Sequence, residues 1–498
     1  MHKQGYLGKF SILIMTLFFL FGCQSAPQKN AVASKNNASF DVHTVVSAEE
    51  THVPEETQKL NYDSTFSSTD ESVHFVMDIS QEISAADLPL VRVTPHYLTG
   101  QDAERTAYAL FPEADFYEPA LLLNPALTKG EIQKKINLWS NYVSEDSLRE
   151  ILGDDVGDNY LSSTANLVKK FIERYSMKYD TAPEGDIHTL CPWKMRKSLE
   201  YMYTKEELAE MGENLEDSND EISAKCYVNE IPYYYTVSTR NKNDYKVNLI
   251  SAIIYDGESP REIENRIYSA KLCRTQEPSS EQIESIKERA TQVLSKMNLG
   301  EWQIDRCKIE KQTYGTQSEY YVYVDAVPTF NGIPAIRLRQ LDGLRNEDGY
   351  AASQYITDAN FCFSANGDIV FFRLYTPLDV KEIVTDHVKT MGMNELLERA
   401  KEVLELSDAY AYQFGSYLQF IDEQVQCDVT VSEIEYGLTR IKVQDQADDY
   451  YYVPAISLKG SVEYVGQESN KTYYVSENPE VLVVINAIDG TVINRTNS

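Results

Sequence analysis

Two short turns constrain the fold of this chain more than any other feature. Asn366 with Gly367 separates strand-like runs at 361–365 and 368–375, and Asp489 with Gly490 separates runs at 482–488 and 491–494. Asn-Gly and Asp-Gly accept the positive φ angles of a two-residue type I′ turn, so each pair predicts a β-hairpin. The same series of elements precedes both. Ser279, three residues before Gln282, caps a helix to about residue 297, whose apolar stripe is Ile283, Ile286, Ala290, Val293 and Leu294. Strands follow at 303–312 and 320–327. Further on, a helix over 393–406 leads to strand-like runs at 425–435, 438–443 and 450–458. This recurrence predicts an α+β fold with tandem modules, each a helix packed on an antiparallel sheet, over 279–378 and 379–498. Ser259 before Pro260, and Thr376 before Pro377, each read as a cap with proline at the first helical position. Both would carry a strand into a helix linking units, which admits a third copy.

Residues 73–268 read as an N-terminal α+β domain. Strands are expected at 73–79 and 88–93. Thr99 with Asp102, Thr128 with Glu131 and Thr204 with Glu207 have the spacing of helix caps before 103–111, 132–143 and 205–211. A helix over 162–175 would turn Leu167, Phe171 and Ile172 inward. Two β-rich runs follow at 224–238 and 245–255, with a polar turn at 240–244. Residues 23–72 are rich in Ala, Ser, Asn, Thr and Glu with little periodicity, and read as a disordered stalk.

Ahead of the stalk, Lys3 and Lys9 precede a run at 12–21 that is apolar but for Thr16. It ends on Leu20, Phe21, Gly22 and Cys23. A charged start, an apolar stretch short for a bilayer and a small residue before cysteine resemble the lipobox of bacterial lipoproteins. Phe21 departs from that pattern, where a small residue is usual. The resemblance implies removal of 1–22 as a signal peptide and lipid on Cys23, holding the protein at the extracytoplasmic face of the cell membrane. A second resemblance covers about 279–494. A helix followed by strands ending in Val484, Ile485, Asn486, Ala487, Ile488, Asp489 and Gly490 is similar to the PepSY domain. It is similar also to the repeats of YycH/YycI-type extracytoplasmic regulators and to uncharacterised Gram-positive lipoproteins. That likeness implies regulation through protein contact and brings no catalytic residues with it.

The formal charge of −31 excludes nucleic acid as a natural partner, because nothing would replace the phosphate counterions. No H-E-x-x-H, G-x-S-x-G or phosphate-loop spacing occurs. His43 and His52 fall in the stalk. His74, His96, His188 and His387 are the remaining bases for any non-local constellation, and none is expected to be catalytic. Asp154, Asp155 and Asp158 crowd one loop but miss the spacing of a calcium loop. Cys191, Cys226, Cys273, Cys307, Cys362 and Cys427 are widely spaced, form no C-x-x-C, and leave buried thiols and disulfides both open. No metal or cofactor is expected.

The remaining signal is aromatic. Of 35 tyrosines, several cluster on predicted strands. Tyr233, Tyr235, Tyr321, Tyr323, Tyr450 and Tyr452 form the candidate recognition surface, for a protein or a sugar. Adjacent strand tyrosines point to opposite faces, so sheet packing is the competing reading of the same residues. The expected function is a lipid-anchored, non-catalytic regulatory or adaptor module binding another protein. A solute- or glycan-binding lipoprotein is the alternative, and an extracellular hydrolase the third reading.

Overall fold

The computed structural model describes residues 56–495 apart from 70, 72, 86–87, 120–126, 154–155, 186–187, 202, 212–217, 243–244, 256–260, 315–316, 338–356, 407–423, 443–449 and 476–479. The signal-like segment, Cys23, His43 and His52, most of the predicted stalk, and Asp154 with Asp155 lie outside the described residues. In chain order the strands and helices begin with β1 (Glu56–Ser67), β2 (Val73–Ala85), β3 (Leu90–Pro95), α1 (Gly100–Leu110), α2 (Lys129–Ser140), α3 (Glu145–Leu152) and α4 (Asp158–Tyr179). Next come β4 (Arg196–Lys197), α5 (Lys205–Met211), β5 (Asp220–Val228), β6 (Ile231–Lys242), β7 (Tyr245–Ile254), α6 (Arg261–Cys273) and α7 (Ser280–Met297). Then follow β8 (Glu301–Tyr314), β9 (Gln317–Phe330), β10 (Ile333–Pro334), β11 (Ala359–Ser364), β12 (Ile369–Tyr375) and β13 (Leu378–Thr385). The last are α8 (Met393–Glu405), β14 (Val425–Lys442), β15 (Tyr450–Gly466), β16 (Thr472–Val475), β17 (Glu480–Asn486) and β18 (Val492–Arg495).

The fold is α+β and, among the described residues, is built on two nine-stranded sheets. The first sheet runs β10-β9-β11-β12-β7-β6-β5-β4, with β8 also on the outer edge of β9. The second runs β1-β2-β14-β15-β17-β18, with β3 bridging β15 to β13 and β16 on β15. β2 runs parallel to β14, so this sheet is mixed.

The predicted repeat is present in the pairing order. After α7 the strands associate as β8-β9-β11-β12, and after α8 as β14-β15-β17-β18. Each helix also grips the last turn of its own unit. Arg289 of α7 donates to the Gly367 carbonyl, and Arg399 of α8 donates to the Gly490 carbonyl at 3.2 Å. Both turns carry one more residue, or two, than a type I′ hairpin. Ser364 N–H donates to Asp368 O and Gly367 N–H to Ser364 O, giving a three-residue loop closed by left-handed Gly367, φ 86°. Asn486 pairs with Thr491 around a four-residue loop that ends on Gly490, φ 70°. Genuine two-residue turns occur elsewhere: Asn229 with Glu230 (φ 50° and 66°) and Asn331 with Gly332 (φ 53° and 78°). The first splits what reads in sequence as one run at 224–238.

Four expectations are corrected. β1 falls inside the stretch read as stalk and pairs with β2 along its whole length. Leu60, Tyr62 and Phe66 alternate along it and pack against the second core, as a strand requires. The step at Thr376 and Pro377 opens strand β13 rather than a helix, because Leu378, Val380 and Ile383 pair β13 with β3. The runs at 425–435 and 438–443 are one strand, β14. On α4, Leu167 is exposed, and Leu161, Ala165 and Val168 form the buried stripe. Nor do the sheets respect contiguous segments: β7 pairs with β12, and β2 and β3 pair with strands of the C-terminal unit.

The first core lies between its sheet and helices α1 and α7. The second lies under α8. A helical cap of α2 to α4 closes on Trp139, Leu148 and Leu161, and receives Ile267 of α6. The caps form as their spacing demands: Thr99, Thr128 and Ser279 each accept from the N3 amide while the N3 side chain returns to the cap.

Candidate binding cleft

The six tyrosines singled out by sequence are structural. Tyr233 and Tyr235 are buried in the first core, where their hydroxyls donate to Ile369 O at 2.6 Å and Ala103 O at 2.8 Å. Tyr321 is buried and donates to Glu319, and Tyr323 is half-buried against Phe371. Tyr450 and Tyr452 are buried where the two sheets meet. Desolvation pushes the hydroxyls of Tyr233, Tyr235 and Tyr452 above their usual range. Five of these six rings are buried and Tyr323 is half-buried, so they do not present a contiguous exposed surface. The faces that carry them are turned toward the cores, which alternation alone does not reveal.

The other candidates separate widely. His74 contacts Ser67 on the surface, His188 meets Glu131 at 2.8 Å, and His387 is exposed. Asp158 begins α4 and pairs with Arg149. Among the described residues no three His, Cys, Asp or Glu side chains are grouped to hold a metal ion. The six cysteines are free thiols, all buried but the half-buried Cys307. Burial pushes the Cys226, Cys273 and Cys427 thiols up to about 12.

What the structure brings together instead is a cleft of about 580 Å³ between the two sheets. One wall comes from the second sheet: Val91 of β3 and Leu378, Val380 and Ile383 of β13. The other comes from the first sheet: Leu299, Trp302, Pro328 and Phe330. The Asn331 and Gly332 turn forms part of the rim, with Glu301 and Asp379. Among the described residues these two acids are the only charged side chains in the lining.

Register explains the apolar wall. Ile383 stands across from Val91, Val91 from Tyr452, and Tyr452 from Arg440, in one row across four strands. Val380, Val93 and Tyr450 form the row beside it. A bulge at Lys381 keeps Val380 and Ile383, three residues apart, on the same side. The inner end of the rows is closed, with the rings of Phe330 and Tyr452 4.2 Å apart. The outer end is open: Val380 and Ile383 are 54% and 46% exposed.

Polar contacts hold the seam. His96, between β3 and α1, places Nδ1 2.8 Å from Asp379 and Nε2 3.2 Å from Asp102. Its amide donates to Pro377 O, and Asn248 Nδ2 donates to its carbonyl. A neutral imidazole carries one N–H and can serve one of the two carboxylates, whereas the imidazolium serves both. Burial alone would raise the Asp102 carboxyl, but hydrogen bonds from Thr99 and His96 outweigh it and hold it below the usual carboxylate range. Behind the closed end, Ile336 N–H donates to Leu438 O at 2.7 Å and joins the sheets. Arg337 pairs there with Asp325 and Asp358. Arg440, 2% exposed, stacks on Tyr450 and donates to Thr357 at 3.3 Å, while its Nε and Nη2 have no partner among the described residues.

No protein-family model matches the chain, and no curated protein does. Among solved structures, an uncharacterised protein from Eubacterium rectale ATCC 33656 aligns over 58% of this chain and 80% of its own, at 14% identity and TM-score 0.29. The C-terminal domain of Bacillus megaterium YpeB aligns over 56% of this chain and 99% of its own, at 8% identity and TM-score 0.23. Likeness at these TM-scores assigns neither fold family nor function.

Proposed function

We propose that this chain is a non-catalytic binding protein, tethered by lipid on Cys23 at the extracytoplasmic face of the membrane, that engages another protein through the cleft between its sheets. One observation carries the reading. Val380 and Ile383 stand exposed on β13 beside an open apolar cleft, while the tyrosine clusters are buried. Apolar side chains held outward on a paired strand, next to a concavity, are the composition of an interface core. The tether is proposed on the resemblance at Leu20 to Cys23; among the described residues no helix is long and apolar enough to cross a membrane. The cleft volume also falls within the roughly 300–1,000 Å³ of small-molecule sites, which supports a solute-binding protein as the second reading.

The test is capture of a partner from solubilised membranes by the full chain, wild type against a Val380→Ser, Ile383→Ser double variant. Both residues are exposed, so the variant is expected to fold. Loss of a specific protein partner in the variant supports the reading. Equal recovery from both would remove the cleft from it. In parallel, Cys23→Ala should shift the protein out of the detergent phase or leave an unprocessed precursor, and unchanged mass with membrane retention would remove the tether.

A further inference from the structure

Resting on that reading, we infer that the cleft receives an extended segment of the partner in which a lysine or arginine is flanked by apolar side chains. The argument begins with charge. Glu301 and Asp379 sit on opposite walls, one on each sheet, and among the described residues no basic side chain lines the cleft. Around them the chain as a whole carries −31, so the field at the mouth favours a cation. An anionic or neutral polar segment would lose its hydration to an apolar floor and gain no partner.

Shape supplies the second part. The apolar contacts are laid along a strand instead of around a deep hole: Ile383 and Val380 on β13, then Trp302 and Phe330 opposite. Trp302 is held in place, its Nε1 donating to Leu299 O at 3.2 Å. An extended chain places alternate side chains on one side. It can therefore put two apolar groups against Val380 and Ile383 while a cationic group between them reaches the rim. A planar aromatic face in the same cleft adds a favourable surface for that cation.

Asp379 has a competing partner. His96 Nδ1 lies 2.8 Å from its carboxylate. A bound ammonium or guanidinium would share Asp379 with His96, whereas Glu301 is exposed and has no such competitor among the described residues that line its wall of the cleft. Glu301 is thus the primary anchor and Asp379 the secondary one.

The test uses three synthetic peptides of equal length with the full chain in detergent. One alternates lysine with leucine and valine, the second has glutamate for each lysine, and the third has serine for each apolar residue. Binding is read from Trp302 emission, with Trp139→Phe and Trp193→Phe as background substitutions, and independently by calorimetry on the unsubstituted chain. The lysine peptide is expected to bind at least tenfold tighter than either control, to weaken about tenfold in Glu301→Gln, and to weaken less in Asp379→Asn. Raised salt should weaken it further. Equal binding of the lysine and glutamate peptides, no effect of Glu301→Gln, or no binding of any peptide would overturn the inference. If partner capture remains sensitive to Val380 and Ile383 while the lysine peptide fails, the segment class is wrong and the cleft reading stands. If both fail, both fall.

Discussion

Glu319 offers the sharpest test of how the first sheet is held to its helices. Its side chain has no solvent exposure and accepts four hydrogen bonds: Arg266 Nη1 at 2.7 Å and Nη2 at 2.8 Å, Arg274 Nε at 3.1 Å, and the Tyr321 hydroxyl at 2.7 Å. Arg266 lies on α6 and Arg274 just beyond it, and Arg274 also donates to Glu150 O of α3. One carboxylate thus ties β9 to two helices. Glu319→Gln keeps the volume but removes the charge and turns an N–H₂ toward guanidinium donors. Removing one partner of a buried ion pair costs about 3–5 kcal/mol. Arg266 and Arg274 keep 14% and 27% exposure and can rehydrate in part, so the low end, about 3 kcal/mol, is expected. Where opening is local, that is a gain of about a hundredfold in amide exchange across α6 and β9, with α8 on the other sheet unchanged as internal control. The pH dependence has a definite sign. Burial would raise the Glu319 carboxyl, but the arginines and Tyr321 outweigh it and hold it below its usual range. A depressed carboxyl stabilises the fold above its unfolded value near 4.5 and loses that contribution as pH falls through the folded value. The gap between wild type and variant should therefore shrink as pH falls below about 4.5. A gap under threefold at neutral pH, an equal change at α8, or a gap that persists undiminished in acid would refute the reasoning.

Three further outcomes follow from burial. Tyr235→Phe should cost about 1 kcal/mol through the lost bond to Ala103 O, and Tyr235→Ala about 3–5 kcal/mol through the cavity, read from denaturant midpoints; near-neutral values for both would return Tyr235 to the surface. Cys226, Cys273 and Cys427 should resist a thiol reagent at pH 8 until the chain is unfolded, since burial holds them near 12, and rapid labelling of the folded protein would contradict that placement. Arg440→Met should leave the protein as stable or more so, by up to about 4 kcal/mol, because a buried guanidinium with two unpartnered nitrogens costs more than a thioether in the same space; strong destabilisation would mean that Arg440 has an essential partner.

How much of this was readable depends on the range of the interaction. The caps at Thr99, Thr128 and Ser279 close within one helical turn, so three-residue spacing suffices to locate them. The two hairpins after α7 and α8 were equally local in position. Their turn type was not, because an added residue that lets glycine alone take positive φ leaves the dipeptide unchanged. The Asn331 and Gly332 turn, between Phe330 and Ile333, has a two-residue dipeptide of the same kind, but the strand after it spans only Ile333 and Pro334, too short to show a pattern. β1 shows alternating Leu60, Tyr62 and Phe66, but its polar composition read as stalk. Tyr233 and Tyr235 show the limit most clearly. Alternation says that they share a face, and only the placement of α1 over that face says that it is inside.

The cleft was unreadable for a deeper reason: no local motif makes it. It arises where the chain crosses between sheets, at Pro95 to Thr99 after β3, at Thr376 and Pro377 before β13, and at Ala335 and Ile336 against Leu438. Each crossing joins residues far apart in sequence, such as His96 with Asp379 and Ile336 with Leu438. The repeat itself sets up this seam. Each unit can extend its own sheet by an added strand, and the N-terminal region supplies strands to both: β7 to the first and β2 and β3 to the second. A chain that shares one N-terminal region between two sheets must pass back and forth across the gap between them. β13 is the strand laid down at one such passage, paired to β3 and exposed over most of its length. Its bulge shapes the apolar wall of the cleft, since in an unbulged strand Ile383, three residues from Val380, would face the opposite side and the cleft would lose half of that exposed wall.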